Sequence, residues 1–257
     1  MNALERALIE KAGYDNGFEN VLADAPPDAV RMASARHRAQ VEIRLQQGIY
    51  MLLVLTAQAH WADELTRSFP AARQSDGRFV VQGEAALAAL LRRASALALA
   101  LPNQALNTYE AAAAAALATL SAAVRGTEVE RMMRQRIGQQ IYRDALIDYW
   151  GGACAVTGID MPEVLRASHA KPWAECTSDA ERLDVFNGFL LVANLDALFD
   201  RFLISFDTQG GLLVSNVLSA RQRNALGLHA ALRLRWLAPE HARHLDLHRE
   251  RLFMNSA

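Results

Sequence analysis

The sequence predicts an α+β fold in two parts: a mixed front module of strands and long helices, then a region of short strands and turns. Three observations predict it. "VRMASA" and "QVEIRL", near residues 30–45, alternate apolar and polar side chains, the period of a half-buried strand. Residues 83–101 and 104–123 carry helical periodicity in strong helix formers. Beyond the glycine pair of "YWGGAC" the chain breaks into short apolar runs separated by turn residues.

Each element follows from local chemistry. Residues 2–12 read as a short amphipathic helix with Leu4, Ala7, Leu8 and Ala12 on one face. "DAPPD", at 24–28, is a breaker cluster. After the two alternating strands, Gln47-Gly48 is a turn into "IYMLLVL", a short buried strand, so a small antiparallel meander is expected. The pattern turns helical from Ala57 to Phe69, loops through "PAARQSDGR" and returns to a strand at "FVVQ". The "AAAAAALATL" run of the second long helix has high helix propensity and little specificity, which suits a packing spacer.

Gly126 can stop that helix, and Thr127 with Glu130 forms a T-x-x-E capping box for another running to about Tyr149. The domain boundary is therefore placed between 1–126 and 127–257. In the second part, "CAVTGID" reads as a strand and turn, and "VLRASHA" and "GFLLVA" as strands. "NLDALFDRF" is a short helix with Asn194 as its N-cap. "LISFD" and "LLVSNVL" form a hairpin around "TQGG", "SARQRNALG" is a helix closed by Gly227, and a terminal helix starts near Ala238.

Composition narrows the function classes. A chain of 257 residues, 52% hydrophobic, can bury a sizeable core. The net charge of −1 gives no global attraction to nucleic acid, so phosphate binding would need a local patch. The two cysteines, Cys154 and Cys176, make neither a disulfide scaffold nor a zinc site and are expected as buried apolar residues. The N-terminus lacks an apolar h-region, and no run reaches the ~18 apolar residues of a membrane helix. The expectation is a soluble, cytoplasmic protein with no membrane partner.

One constellation carries chemistry. His169 ends a strand, Asn187 opens the next, and Asp196 follows in the first turns of a helix with Asp200 four residues on. Acids at i and i+4 share a helix face and can hold one hard divalent cation, Mg2+ or Mn2+, through oxygen. A neutral imidazole nearby can take a proton from water near pH 7, and the cation neutralises charge on a reacting phosphate. Asparagine is neither acid nor base; its work there is to hydrogen-bond backbone across the loop and orient the histidine.

These motifs resemble the HNH endonuclease family, in the branch found beside restriction-type proteins. "VLRASHAKPW" is similar to the family's first motif, "RLDVFNGFLL" to its second and "NLDALFD" to its third. The resemblance covers about 130–215 and includes "CAVTG" upstream and Arg136, Gly138 and Gln139 as an R-x-G-Q helix start. It implies a ββα-metal finger, with His169 as general base, Asn187 as the structural asparagine, and Asp196 and Asp200 as ligands of one divalent ion. Where relatives often carry an acid or a histidine before the base, this chain has Ser168.

The resemblance further implies hydrolysis of phosphodiester bonds in DNA, duplex DNA above all, in restriction or defence against foreign or modified DNA. A DNA-binding protein with an HNH fold that does not cut, or a nuclease toxin, is the alternative. A single such site cuts one strand, so double-strand cleavage calls for a homodimer or two successive nicks. Lys171 and Arg201 are candidates for contacting substrate phosphate, and Trp173 reads as a packing anchor. His241, His244 and His248 share one face of the terminal helix, but interleaved arginines suit a solvated face. In 1–126, read as a recognition module, Arg36, His37, Arg38 and Arg44 are candidate phosphate contacts or ordinary surface charge.

Overall fold

The computed structural model describes residues 1–55, 60–102, 104–119 and 126–254. The chain divides into two compact units, Met1–Gln104 and Ala105–Ala257. The stretch 120–125, just before the boundary placed at Gly126, lies outside the described residues.

Alternation organises the first unit. Strands β1 (Asn20–Leu22), β2 (Ala29–Ala33), β3 (Gln40–Gln46), β4 (Ile49–Val54) and β5 (Phe79–Gln82) form one antiparallel meander in that order. β1 is a strand that alternation at residues 30–45 did not announce. Gln47 and Gly48 both have positive φ, which makes the two-residue turn whose twist matches a hairpin. The register aligns Val30, Ile43, Leu52 and Phe79 across four strands, and all four are fully buried. Helices α1 (Ala3–Asp15), α2 (Trp61–Ser68) and α3 (Glu84–Ala100) complete the unit.

α1 buries Ile9 and Gly13, while Leu4 is 69% exposed, so its inner face is not the one that spacing predicted. Gly13 packs against Met32, whose sulfur would have to shift to admit a Cβ there. Two of the four candidate phosphate contacts are committed inside this unit. His37 is buried against Phe18 and bonds Ser95, and Arg44 pairs with Glu42 at 3.1 Å.

The second unit is built around a hairpin. β6 (Leu165–His169) pairs antiparallel with β7 (Gly188–Val192), with His169 opposite Gly188. α4 (Gln104–Ala118) and the 23-residue α5 (Glu128–Trp150) precede it, and the short α6 (Asp179–Arg182) lies in the connection. β7 runs directly into α7 (Ala193–Phe199), whose N-cap is Val192, not Asn194. β8 (Ile204–Phe206), β9 (Leu212–Val214), α8 (Ala220–Ala225) and α9 (Ala242–Met254) follow. "CAVTGID" forms turns without a strand. Thr127 takes the N-cap of α5 without a side-chain cap bond; Glu130 instead accepts from the Gly126 N–H at 2.6 Å.

An aromatic cluster fills this core. Trp150 stacks on Trp236 at 4.3 Å, Tyr149 meets Phe186 edge-on, and Phe189 stacks on His241. Arg235 caps α5 by donating to the carbonyls of Trp150 and Ala153. The three histidines near the C-terminus belong to this core: His241, His244 and His248 are 0%, 3% and 1% exposed. Arg243, the one arginine between them, keeps its side chain 67% exposed, so a solvated histidine face is corrected. His248 donates from Nε2 to the Phe199 carbonyl, accepts from Ser205 Oγ and stacks on Phe199 at 3.8 Å. Among the described residues no single helix is long and apolar enough to cross a membrane.

Burial holds His248 neutral and lowers its pKa to about 4. The unfolded chain takes up that proton near pH 6.5 and the folded chain does not. Stability is therefore fully present above pH 6.5 and declines as pH falls toward 4. In urea unfolding across that window, His248→Gln should flatten the decline; an unchanged slope would contradict the assignment.

Candidate active site

Strand alternation separates two sets of groups at the end of β6. Successive residues point to opposite faces, so Ser168 and His169 face different helices. Ser168, 1% exposed, donates from Oγ to Asp196 Oδ1 at 2.5 Å, on α7. His169 lies flat on Tyr142 of α5, ring centroids 3.8 Å apart and planes 21° from parallel. The Trp173 edge closes a further side at 5.6 Å and 90°.

The imidazole is held in one tautomer. His169 Nε2 donates to the Arg182 carbonyl at 2.9 Å, and a carbonyl can only accept. In the neutral ring the lone pair is therefore on Nδ1. Burial lowers the His169 pKa to about 4, against the bond to Arg182, which raises it. At neutral pH the ring is a proton acceptor.

Asn187 is fully buried and ties the loop that leaves β6 to the loop that enters β7. Its Oδ1 accepts from the Lys171 N–H at 2.8 Å, and its Nδ2 donates to the carbonyls of Lys171 and Glu181. The segment running from His169 is thus bonded to the segment that supplies the Arg182 carbonyl. Cys176, buried nearby, has its Sγ 3.4 Å from Asn187 Nδ2.

Tyr142 was not legible as a functional residue. Its hydroxyl donates to the Asn187 carbonyl at 3.1 Å, beside the Ser168 carbonyl at 3.5 Å. That approach needs Gly188, because a Cβ there would sit 2.0 Å from the Ser168 oxygen and 2.1 Å from the Tyr142 hydroxyl. Gly138, one turn before Tyr142, has the same role for Trp173, whose indole carbon would be 2.5 Å from an added Cβ. The glycine of the R-x-G-Q segment therefore seats a tryptophan. Burial raises the Tyr142 phenol well above its usual range, so it stays a donor.

The two acids are adjacent on α7 and at its C-cap. The Asp200 N–H donates to the Asp196 carbonyl at 2.9 Å, closing the last turn. Solvent reaches Asp200, yet partial burial of its carboxyl and then the Asp196 charge raise it to about 6. Among the described residues no group of three or more His, Cys, Asp or Glu side chains is placed to hold a metal. Ser168 and Asp196 lie on the α7 side and His169, Asn187 and Arg182 on the other, while the Asp200 charge is felt at the hydroxyl of Tyr142, on which His169 stacks. Lys171 pairs with Glu181 at 2.7 Å, both side chains about one-fifth exposed, whereas Arg201 is exposed.

Residues 154–207 match the family model described as HNH endonuclease. That segment contains β6, β7 and α7 with all four residues of the constellation, and the match supports an HNH endonuclease domain in the C-terminal half. No curated protein matches the chain.

Two substitutions check this construction by urea unfolding. Asn187→Ala strands buried loop groups at about 1–3 kcal/mol each and should lower stability by about 3 kcal/mol. Gly188→Ala forces the clash with two buried oxygens and should cost at least about 2 kcal/mol. A loss below about 0.5 kcal/mol in either would contradict the packing described.

Proposed function

We propose that the C-terminal unit is a metal-dependent HNH endonuclease that hydrolyses phosphodiester bonds in DNA. The observation that carries the reading is the neutral, oriented His169 at the strand end where the adjacent Ser168 bonds Asp196 and where the Asp200 charge reaches the Tyr142 that His169 stacks on. The donor set fits a hard cation. The Asp196 charge makes Asp200 costlier to ionise, and a divalent ion relieves that. Asp196 and Asp200 would hold the ion, with Ser168 orienting Asp196 and with water and substrate phosphate completing the shell. Oxygen donors favour Mg2+ or Mn2+.

Bound there, the ion supplies charge neutralisation at the reacting phosphate and the leaving oxygen. His169 takes a proton from water at Nδ1 as the water oxygen bonds to phosphorus and the P–O bond to the leaving oxygen breaks, that oxygen taking a proton from a second water. The developing imidazolium keeps its Nε2–H bond to the Arg182 carbonyl, which stabilises the positive charge. Tyr142 covers one ring face and Trp173 one edge, so water meets the ring from the remaining sides. Asn187 keeps the loop carrying Arg182 in register with β6. Arg201, exposed next to Asp200, is assigned to substrate phosphate ahead of Lys171, which Glu181 engages.

The restriction-type resemblance supports a place in defence against foreign or modified DNA, with residues 1–126 selecting the substrate and duplex cleavage needing two copies or two nicks. Supercoiled plasmid with Mg2+ or Mn2+ should be nicked by the protein and spared when EDTA is present. His169→Ala and Asp196→Ala should each slow nicking by at least about 100-fold. Undiminished cutting by His169→Ala would remove the general base, and a plasmid left intact by the wild type under all these conditions would overturn the enzyme reading.

A further inference from the structure

The stripe of α5 that carries the Tyr142 platform continues past the histidine. Arg131, Arg134, Gly138 and Tyr142 recur at three- and four-residue intervals, which places them on one helix face. At 1.5 Å per residue, the arginines stand ~12–16 Å along the helix from the tyrosine. They line a cleft of about 460 Å³ together with Tyr109, Trp173, Asp179 and Arg182. Two of its walls are also walls of the base site: Trp173 meets the His169 ring edge-on, and the Arg182 carbonyl holds His169 Nε2.

The three guanidinium groups are not equivalent. Arg182 is committed to structure, donating to the carbonyls of Cys176 and Trp173 and pairing with Asp179 at 2.9 Å. Arg131 pairs with Glu128 at 2.5 Å, but both side chains are largely exposed, at 76% and 62%. Arg134 pairs with Glu130 at 3.0 Å and is braced by the Tyr109 hydroxyl. The exposed Arg131–Glu128 pair is worth a few tenths of a kcal/mol and gives way to a better anion at little cost, whereas Glu130, 16% exposed, holds Arg134 in the cleft wall. A phosphodiester offers two oxygens to the guanidinium fork. Three arginines thus converge on this cleft, each beside an acid, and an incoming phosphate competes with Glu128 and Glu130 for Arg131 and Arg134.

We propose that Arg131 and Arg134 form a DNA-backbone subsite, gripping a phosphate of the strand that is cut at His169. At ~12–16 Å along the helix, the gripped phosphate lies a few nucleotides from the scissile bond. The subsite positions the strand and carries no sequence information, since backbone contacts read charge alone. The proposal rests on the nuclease reading of the His169 site, and its test separates the two.

Binding is measured on the full chain in the His169→Ala background, by fluorescence anisotropy with a labelled duplex of about 24 base pairs across a salt series. Arg131→Gln/Arg134→Gln should weaken binding at least about tenfold and reduce the slope of log K against log salt by about 2. Arg136→Gln, the same charge change on the same helix off the stripe, should stay within about twofold. Arg131→Ala alone, at an exposed position, tests the subsite even where the double variant is unstable and should reduce the slope by about 1. In the cleaving protein the same substitutions should raise KM and leave kcat unchanged. The subsite is overturned when the stripe variants bind like the parent, or when Arg136→Gln weakens binding equally. If the wild type never cuts but the stripe variants lose binding, the nuclease reading fails while the subsite stands.

Discussion

The contact of Tyr142 with the hairpin holds the rest of the site in place. Its hydroxyl donates to the Asn187 carbonyl and its ring supports His169, so one side chain sets both the depth of the hairpin against α5 and the plane of the imidazole. The contact exists because Gly188 has no side chain. A buried phenol must find an acceptor, and here the acceptor is the backbone of the residue that itself ties the two loops together. Tyrosine, glycine and asparagine therefore depend on one another through contacts that touch no reacting atom.

Around that anchor the unit divides its electrostatics. On one face a histidine is largely buried and kept neutral, with its proton assigned to Nε2 by a carbonyl. On the other face two carboxylates crowd each other at the end of α7, and Ser168 donates to one of them. The proton acceptor and the cation-seeking pair meet at the end of one strand, where His169 and Ser168 are neighbours and the Asp200 charge reaches Tyr142. The place where relatives often carry another strong ligand is filled by a hydroxyl that orients Asp196, which leaves more of any cation's shell to water and phosphate.

The buried histidines of α9 complete the support. His248 bonds the carbonyl of Phe199, the residue before Asp200, and packs its ring on the same phenylalanine. The end of α7 is thus fixed from inside the core by a neutral side chain. Arg243 and Arg251 of the same helix turn outward and pair with Asp184 and Glu175.

Much of this was legible in the chain itself. Period-two alternation located β2 and β3, a short apolar run located β4, the Gln47-Gly48 turn set the register of β3 with β4, and the spacing of His169, Asn187, Asp196 and Asp200 brought out the constellation, because each signal is local. Helix starts were less legible: Thr127 and Asn194 look like caps, yet Thr127 makes no side-chain cap bond and α7 begins straight from a strand. The inner face of α1 and the burial of His241, His244 and His248 could not be read, since alanines and arginines leave the helical stripe ambiguous until a partner surface chooses a side. Sequence by itself determined which residue types stand at which spacing, and so the chemistry they can carry. Tertiary structure alone decided that Tyr142 lies under His169, that Gly138 and Gly188 make room, and that Ser168 faces Asp196, because those contacts join residues whose proximity no local periodicity encodes.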